Sequence, residues 1–402
     1  MGLAKPVLNS PSVWPRRVVR LEGNQLDPWS SEIVKDYKRV MEQFGLSEPT
    51  EEQIEFFSDA PFFRRRIIFA HRDLDIIVDA IRSGREYAVL TGIKPTGDYH
   101  LGTFQTVKEF VYFQKKSPQA IAVFSIADIE AWEDNGIGFE ESRKVAISNV
   151  SDLLAAGLDL ERAYIYFQSK EIRVHELAAL AARGITLATM KAVYGERHMG
   201  LYLSSLVQIG DILLPQHPDL GGPKPTIVPV GIDQDPHLRL TRDVASKLRA
   251  KWGFVEPAST YHLIIRSLLG DKKMSKRDPM SYISLRDDEN LVRKKILNAF
   301  TGGRETAQLQ RELGGEPWRC VVYEIAKFHL YSDDDGELEK IYKECIAGAR
   351  LCGECKMQIL EDLLREMKEH EKRRIEALPT ARRIVEMASN RQPLYTASSG
   401  GA

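Results

Sequence analysis

Four short, unbroken apolar runs punctuate the middle of the chain: residues 87–91 (YAVLT), 120–126 (AIAVFSI), 163–167 (AYIYF) and 226–230 (TIVPV). A strand with one face in water alternates polar and apolar residues, whereas a continuous apolar run suits a strand covered on both faces. Stretches with helical spacing separate the runs. Phe104, Val107, Val111 and Tyr112 fall on one face, a second helical pattern over 141–156 is closed by Gly157, and a third begins near His237. Strands alternating with helices call for a parallel sheet with right-handed crossovers. The expected fold is α/β, with ligands at the carboxyl ends of the strands.

The flanks have a different character. Residues 1–75 are polar and mixed, ending in the basic cluster Arg64, Arg65, Arg66, His71 and Arg72. From about 286 the chain is rich in Lys, Arg, Glu, Leu and Ala at helical spacing, and 356–383 interleaves both charges as a solvated helix face does. The 402 residues therefore divide into an N-terminal extension (1–75), a sheet domain (76–285), an all-helical C-terminal domain (286–388) and a flexible tail (389–402). The 56 Lys plus Arg against 57 Asp plus Glu exclude a chain coated in positive charge. Nucleic acid would have to meet local basic faces, such as Arg64–Arg66 and the helical domain. An apolar content of 43% excludes disorder as the main state, and four cysteines exclude a disulfide-stapled scaffold. Cys352 and Cys355 form a CxxC with Cys320 and Cys345 nearby, but a second close pair is lacking and no metal ligands are expected. No apolar leader follows the N-terminus, Pro6 disfavours acylation of Gly2, and the apolar runs are too short to cross a bilayer. A cytoplasmic protein with no membrane segment is expected.

Two loops carry the chemistry. The first, TGIKPTGDYHLGT over residues 91–103, joins a strand to a helix. Such a glycine-rich turn lets backbone N–H groups approach a phosphate chain, and the helix N-terminus adds positive potential. Gly102 permits close approach at the helix start, and His100 is placed to donate to a phosphate oxygen. The second, DKKMSKRDP, places Lys273, Lys276 and Arg277 among polar turn residues.

In that order and on that kind of fold, the two loops resemble the HIGH and KMSKS motifs of class I aminoacyl-tRNA synthetases. The runs VPVGIDQDPH (228–237) and LTRD (240–243), with QIGDIL (208–213), are similar to the tryptophanyl members of that family. Asp27-Pro28-Trp29, Phe63-Arg64-Arg65, His71-Arg72-Asp73, GGRET (302–306) and Gly314-Gly315 resemble its archaeal and eukaryotic branch. The likeness covers roughly 25–385. Three positions depart from the pattern: Thr103 replaces the final His of HIGH, Arg277 the final Ser of KMSKS, and Leu90 stands where that branch usually carries Tyr. Asp128, after FSIA, is similar to the bacterial indole-binding Asp.

The resemblance implies a Rossmann-type catalytic sheet containing an inserted helical connective segment, and a helical anticodon-binding domain. It implies activation of L-tryptophan by ATP with Mg2+, transfer to tRNA(Trp), and a homodimer. Lys273, Lys276 and His100 would be catalytic. Gly92, Lys94, Thr96, Gly102, Thr103, Gly231, Asp233, Gln234, Met274 and Ser275 would join His100 and Lys276 in holding ATP. Leu90, Val228 and Val230 would wall the substrate pocket, with Asp128, Gln208 and Gln234 as candidates for the indole N–H and the ammonium group. A tyrosyl enzyme and a non-catalytic paralogue are the alternatives.

Overall fold

The structure, a computed structural model, describes residues 37–270 and 272–390. The Asp27-Pro28-Trp29 element and the tail beyond 390 lie outside the described residues. Six strands form one sheet in the order β1-β6-β5-β2-β3-β4. They are β1 (Ile68–Arg72), β2 (Tyr87–Ile93), β3 (Ala120–Ile126), β4 (Ala163–Phe167), β5 (Thr226–Gly231) and β6 (Ala258–His262). β2 to β6 run parallel, and β1 closes one edge antiparallel to β6. From β2 the chain adds β3 and β4 on one side, then crosses back to add β5 and β6 on the other. The crevice at the carboxyl ends of β2 and β5 is thus a topological switch point.

Both sheet faces are covered, which explains the unbroken apolar runs. Val89, Ala122, Phe124 and Ile227 pack into one core with the Leu101–Lys115 and Phe139–Ala155 helices. Leu90, Val123, Tyr166 and Val228 pack into a second core under the Ile172–Ala182, Leu187–Tyr194, Met199–Leu213 and Asp235–Trp252 helices. The first three of these are inserted between β4 and β5. Gly210 is required there: a Cβ would lie 2.2 Å from the Val174 carbonyl of the neighbouring helix. Beyond Glu289 every described regular element is helical, ending in the 38-residue Cys352–Ser389 helix. Its Ile359, Leu360, Leu363, Ala381 and Val385 are buried, while Asp362–Arg365 and Glu371–Arg374 pair along its surface.

Two strands escape the hydrophobic pattern. β6 reads ASTYH, yet all five residues are buried. β1 reads IFAHR and falls within the segment assigned to the N-terminal extension, but it hydrogen-bonds into the sheet. Its terminal Arg72 is held by the fully buried Asp235 (2.9 Å), which also accepts from the Tyr261 hydroxyl at 2.6 Å. The expected basic face at Arg64–Arg66 is not formed. Arg65 is buried, with Asp335 and the carbonyls of Lys327, Leu330 and Tyr331 as acceptors. Arg64 also pairs with Asp335, and Arg66 with Glu51. Arg64 and Arg65 join the N-terminal helices to the helical region.

Removing one member of a buried ion pair strands the other. Asp235→Ala is expected to lower unfolding free energy by about 3–5 kcal/mol, read from urea midpoints by circular dichroism. A change below about 1 kcal/mol would place that pair among the weak ones.

Candidate functional site

A cavity of about 430 Å³ opens at the switch point between β2 and β5. It is lined by the ends of both strands, the 91–103 loop, the start of the Leu101–Lys115 helix, one face of the Met199–Leu213 helix and the 273–277 loop. Every candidate residue except Asp128 lines it: Leu90, Gly92, Lys94, Thr96, His100, Gly102, Thr103, Gln208, Val228, Val230, Gly231, Asp233, Gln234, Lys273, Met274, Ser275 and Lys276.

One end gathers the helix cap and the lysine loop. His100 is the N-cap of the Leu101–Lys115 helix, and its Nδ1 accepts from the N–H groups of Gly102 (3.1 Å) and Thr103 (3.4 Å). Thr103 returns the contact, its Oγ1 accepting from the His100 N–H at 3.1 Å. Threonine at this departure from the family pattern therefore completes a capping box. With Nδ1 an acceptor, the proton of the neutral imidazole resides on Nε2, which makes His100 a neutral donor. Burial, then Lys276 and Lys273, push its pKa down to about 3. Gly102 sits where a Cβ would press on the His100 ring at 3.0 Å.

The lysine loop closes over this end. Met274 is buried and anchors it, while Lys276 Nζ donates to the Gly97 carbonyl at 2.8 Å, 179 residues away in sequence. Burial lowers the Lys276 pKa to about 8. Lys273 Nζ meets Asp233 Oδ2 at 2.8 Å. Burial would raise the Asp233 pKa, but the Lys273 ammonium overrides it and holds the carboxylate ionised. Lys94 reaches Asp134 (2.6 Å) and Glu130 (3.4 Å). Burial disfavours its charge, yet these two carboxylates keep it protonated. The exposed Arg277 lines the same rim.

The other end is apolar with a few buried polar groups. Leu90, Phe124, Ile212, Val228 and Leu238 form walls. Gln208 Nε2 donates to Glu130 Oε2 at 2.8 Å, while its Oε1 is buried with no partner among the described residues. Behind them Asp211 accepts from the Tyr166 hydroxyl (2.6 Å) and from Gln168 Nε2 (2.5 Å). Burial raises the Asp211 pKa to about 7.

Asp128 does not join this group. Its Oδ1 accepts from the Ser169 N–H (3.0 Å) and its Oδ2 from the Ser169 hydroxyl (2.5 Å), joining the Asp128–Asn135 helix to the turn after β4. Glu130, two residues on, faces the cavity instead, because residues i and i+2 of a helix point apart. Glu130, Gln168, Asp211 and His262 were not among the candidates. Gln168 and His262 follow or end strands, where ligands of such sheets gather, but His262 ends β6, whose polar sequence hid it. Glu109, buried in the Leu101–Lys115 helix, holds His262 Nδ1 at 3.2 Å.

The family model of class I tRNA synthetases (W and Y) matches residues 82–367. The tryptophan–tRNA ligase of Methanocaldococcus jannaschii is 40% identical over 368 residues, 90% of this chain and 98% of that protein. That of Aeropyrum pernix is 41% identical, over 91% and 99%. The crystal structure of the tryptophanyl-tRNA synthetase from Aeropyrum pernix superposes with a TM-score of 0.80 at 39% identity, covering 90% of this chain and 98% of that one. The Encephalitozoon cuniculi enzyme bound to tryptophan superposes at 0.78 with 27% identity, over 88% and 98%. The chain belongs to the class I tRNA synthetases (W and Y), on their tryptophanyl branch.

Proposed function

We propose that this chain is a tryptophan–tRNA ligase. It joins L-tryptophan to ATP as tryptophanyl-adenylate, releases pyrophosphate, and passes the tryptophan to the 3'-terminal adenosine of tRNA(Trp). The observation that carries the reading is the meeting, over one crevice, of the His100 helix cap with Lys273 and Lys276. A non-catalytic paralogue would have no need to keep both ammonium groups there, and the curated relatives are named for tryptophan rather than tyrosine.

The first step needs no general base, because the substrate carboxylate is already a nucleophile. Its oxygen bonds to the α-phosphorus, the α–β phosphoanhydride bond breaks, and the electron pair leaves on pyrophosphate. The chain has to align the reactants and stabilise charge moving onto the leaving group. In this reading His100 Nε2–H and the loop amides hold phosphate oxygens, and Gly231 and Asp233 hold the ribose. Lys273 and Lys276 follow the developing charge as flexible cations. At the amino-acid end, Glu130 replaces Asp128 as the anion for the ammonium group. The unpartnered Gln208 Oε1 beside it supplies a second acceptor. The apolar walls take the indole ring, and a buried polar group left without its partner would penalise analogues.

Among the described residues no three His, Cys, Asp or Glu side chains could hold a cation. Mg2+ therefore fits as the nucleotide's companion, held by phosphate oxygens rather than by a protein cage. No described helix is long and apolar enough to cross a membrane, and the cytoplasmic location belongs to the same reading. So does the homodimer, for which Trp132, Phe139, Met199 and Leu203 are exposed apolar groups on helices beside the crevice. The helical region would read the anticodon by salt-dependent phosphate contacts.

ATP–pyrophosphate exchange tests the reading: tryptophan should support it and tyrosine should not, and exchange with tyrosine alone would overturn it. Lys276→Ala should slow adenylate formation about 10²–10³-fold while tryptophan binding, followed by fluorescence quenching or calorimetry, stays nearly unchanged. Equal losses in both would contradict the role assigned to Lys276. A lysine with a pKa of about 8 is charged below that pH and neutral above it. Adenylate formation should therefore fall as pH rises through about 8, and Lys276→Arg, always charged, should remove that fall.

A further inference from the structure

Glu109 is fully buried in the Leu101–Lys115 helix. Among the described residues His262, at the end of β6, is the one His, Lys or Arg within ion-pair distance of it. Glu109 Oε2 meets His262 Nδ1 at 3.2 Å, and Oε1 accepts from Gln105 Nε2 at 2.7 Å. A carboxylate sealed away from water is costly unless a cation answers it. A glutamine would fill the same space and accept the same bond from Gln105. The charge is therefore in place for the imidazole.

A carboxylate only accepts, so Nδ1 carries a proton in either charge state of the ring. Nε2 is left for the crevice, which His262 lines. There it faces Asp233 across Gly231. A Cβ on Gly231 would lie 2.6 Å from Asp233 Oδ1 and 3.7 Å from His262 Nε2, so the glycine leaves the two side chains open to one another. Asp233 thus meets Lys273 through Oδ2, at 2.8 Å, and turns Oδ1 toward the ring. Burial works against a charged ring, but Glu109 and then Asp233 override it and raise the His262 pKa. Against burial, the ring in turn joins Lys273 in keeping Asp233 ionised. These are the charged groups that face it; its register partner on β1 is the apolar Ile68.

Lys273 cannot serve Asp233 and a leaving pyrophosphate at once, because both contacts need Nζ at hydrogen-bonding distance. Resting on the function proposed above, we propose that His262, held by Glu109, is a positioning residue of adenylate formation: its imidazolium takes over Asp233 when Lys273 turns to the pyrophosphate, and keeps that carboxylate ionised and in place on the ribose. No new bond is made or broken in this exchange of partners.

Glu109→Gln keeps the size of the side chain and its hydrogen-bonding reach and removes the charge. Single-turnover formation of tryptophanyl-adenylate at saturating ATP and tryptophan, over about pH 5.5–7, reads the consequence below the range in which Lys276 titrates. The ring is charged below its pKa and neutral above it, and loss of the Glu109 charge lowers that pKa. The Glu109→Gln rate should therefore fall at lower pH than the wild-type rate does, and return toward the wild-type value at the acid end. His262→Phe should be about 10–100-fold slower than wild type, with KM for ATP nearly unchanged, since the contact is made only as Lys273 leaves. His262→Gln, which retains a donor, should recover part of that loss without the pH dependence. Circular dichroism and tryptophan binding check the fold of each variant; should His262→Phe fail to fold, the Glu109→Gln profile decides. A Glu109→Gln profile that coincides with wild type, or a His262→Phe variant with raised KM for ATP and unchanged kcat, would overturn the proposal and leave the ligase reading intact. A wild-type chain without tryptophan-dependent pyrophosphate exchange would remove both.

Discussion

The contact around which the site is arranged is that between the 91–103 loop and the 273–277 loop. Lys276 reaches the Gly97 carbonyl and Lys273 reaches Asp233, so two short segments far apart in sequence face one another across the crevice. The sheet topology makes this possible. Because β2 and β5 are neighbours with crossovers leaving in opposite directions, their carboxyl ends splay open, and only there can a loop from each half approach the same ligand. Gly92 shows how closely the frame is drawn: a Cβ there would lie 2.8 Å from the Ser125 carbonyl on β3.

The charges within the crevice are sorted by partner. His100 is kept neutral by burial and by the two lysines, so it adds a directed donor without adding to their mutual repulsion. Lys94 has carboxylate partners that keep it charged, whereas Lys276 donates to a carbonyl and burial lowers its pKa to about 8.

Much of this was legible in the sequence. β3 and β4 lie where unbroken apolar runs placed them, and the two loops were recognisable from their glycines and lysines. What escaped was set by partners that spacing does not reveal. β6 carries Ser, Thr, Tyr and His, yet is buried, with neighbours answering three of them in the bonds from Ser259 to Tyr261, from Tyr261 to Asp235 and between His262 and Glu109. Arg64–Arg66 read as a basic face and proved to be buried or paired links. Asp128 drew notice as a charge after an apolar strand, but Ser169 answers it, and Glu130 two positions later turns to the cavity. The capping role of Thr103 was hidden because the family pattern has histidine there.

The long C-terminal helix reaches the same frame from outside. His370 Nε2 lies 2.8 Å from Asp152 on the Phe139–Ala155 helix, and Arg286 pairs with both Asp152 and Glu371. One turn back on that helix, Asn149 and Ser148 bond Gly97 and Asp98 of the 91–103 loop. The helical region is therefore fastened to the loop that Lys276 also holds. The most direct test of the whole arrangement is a crystal structure of the chain with tryptophan and a non-hydrolysable ATP analogue. The indole should lie against Leu90 and Val228, the ammonium at Glu130 and Gln208, and the phosphates beneath His100 and Lys276. An indole bound outside the crevice, or phosphates away from both lysines, would contradict the account.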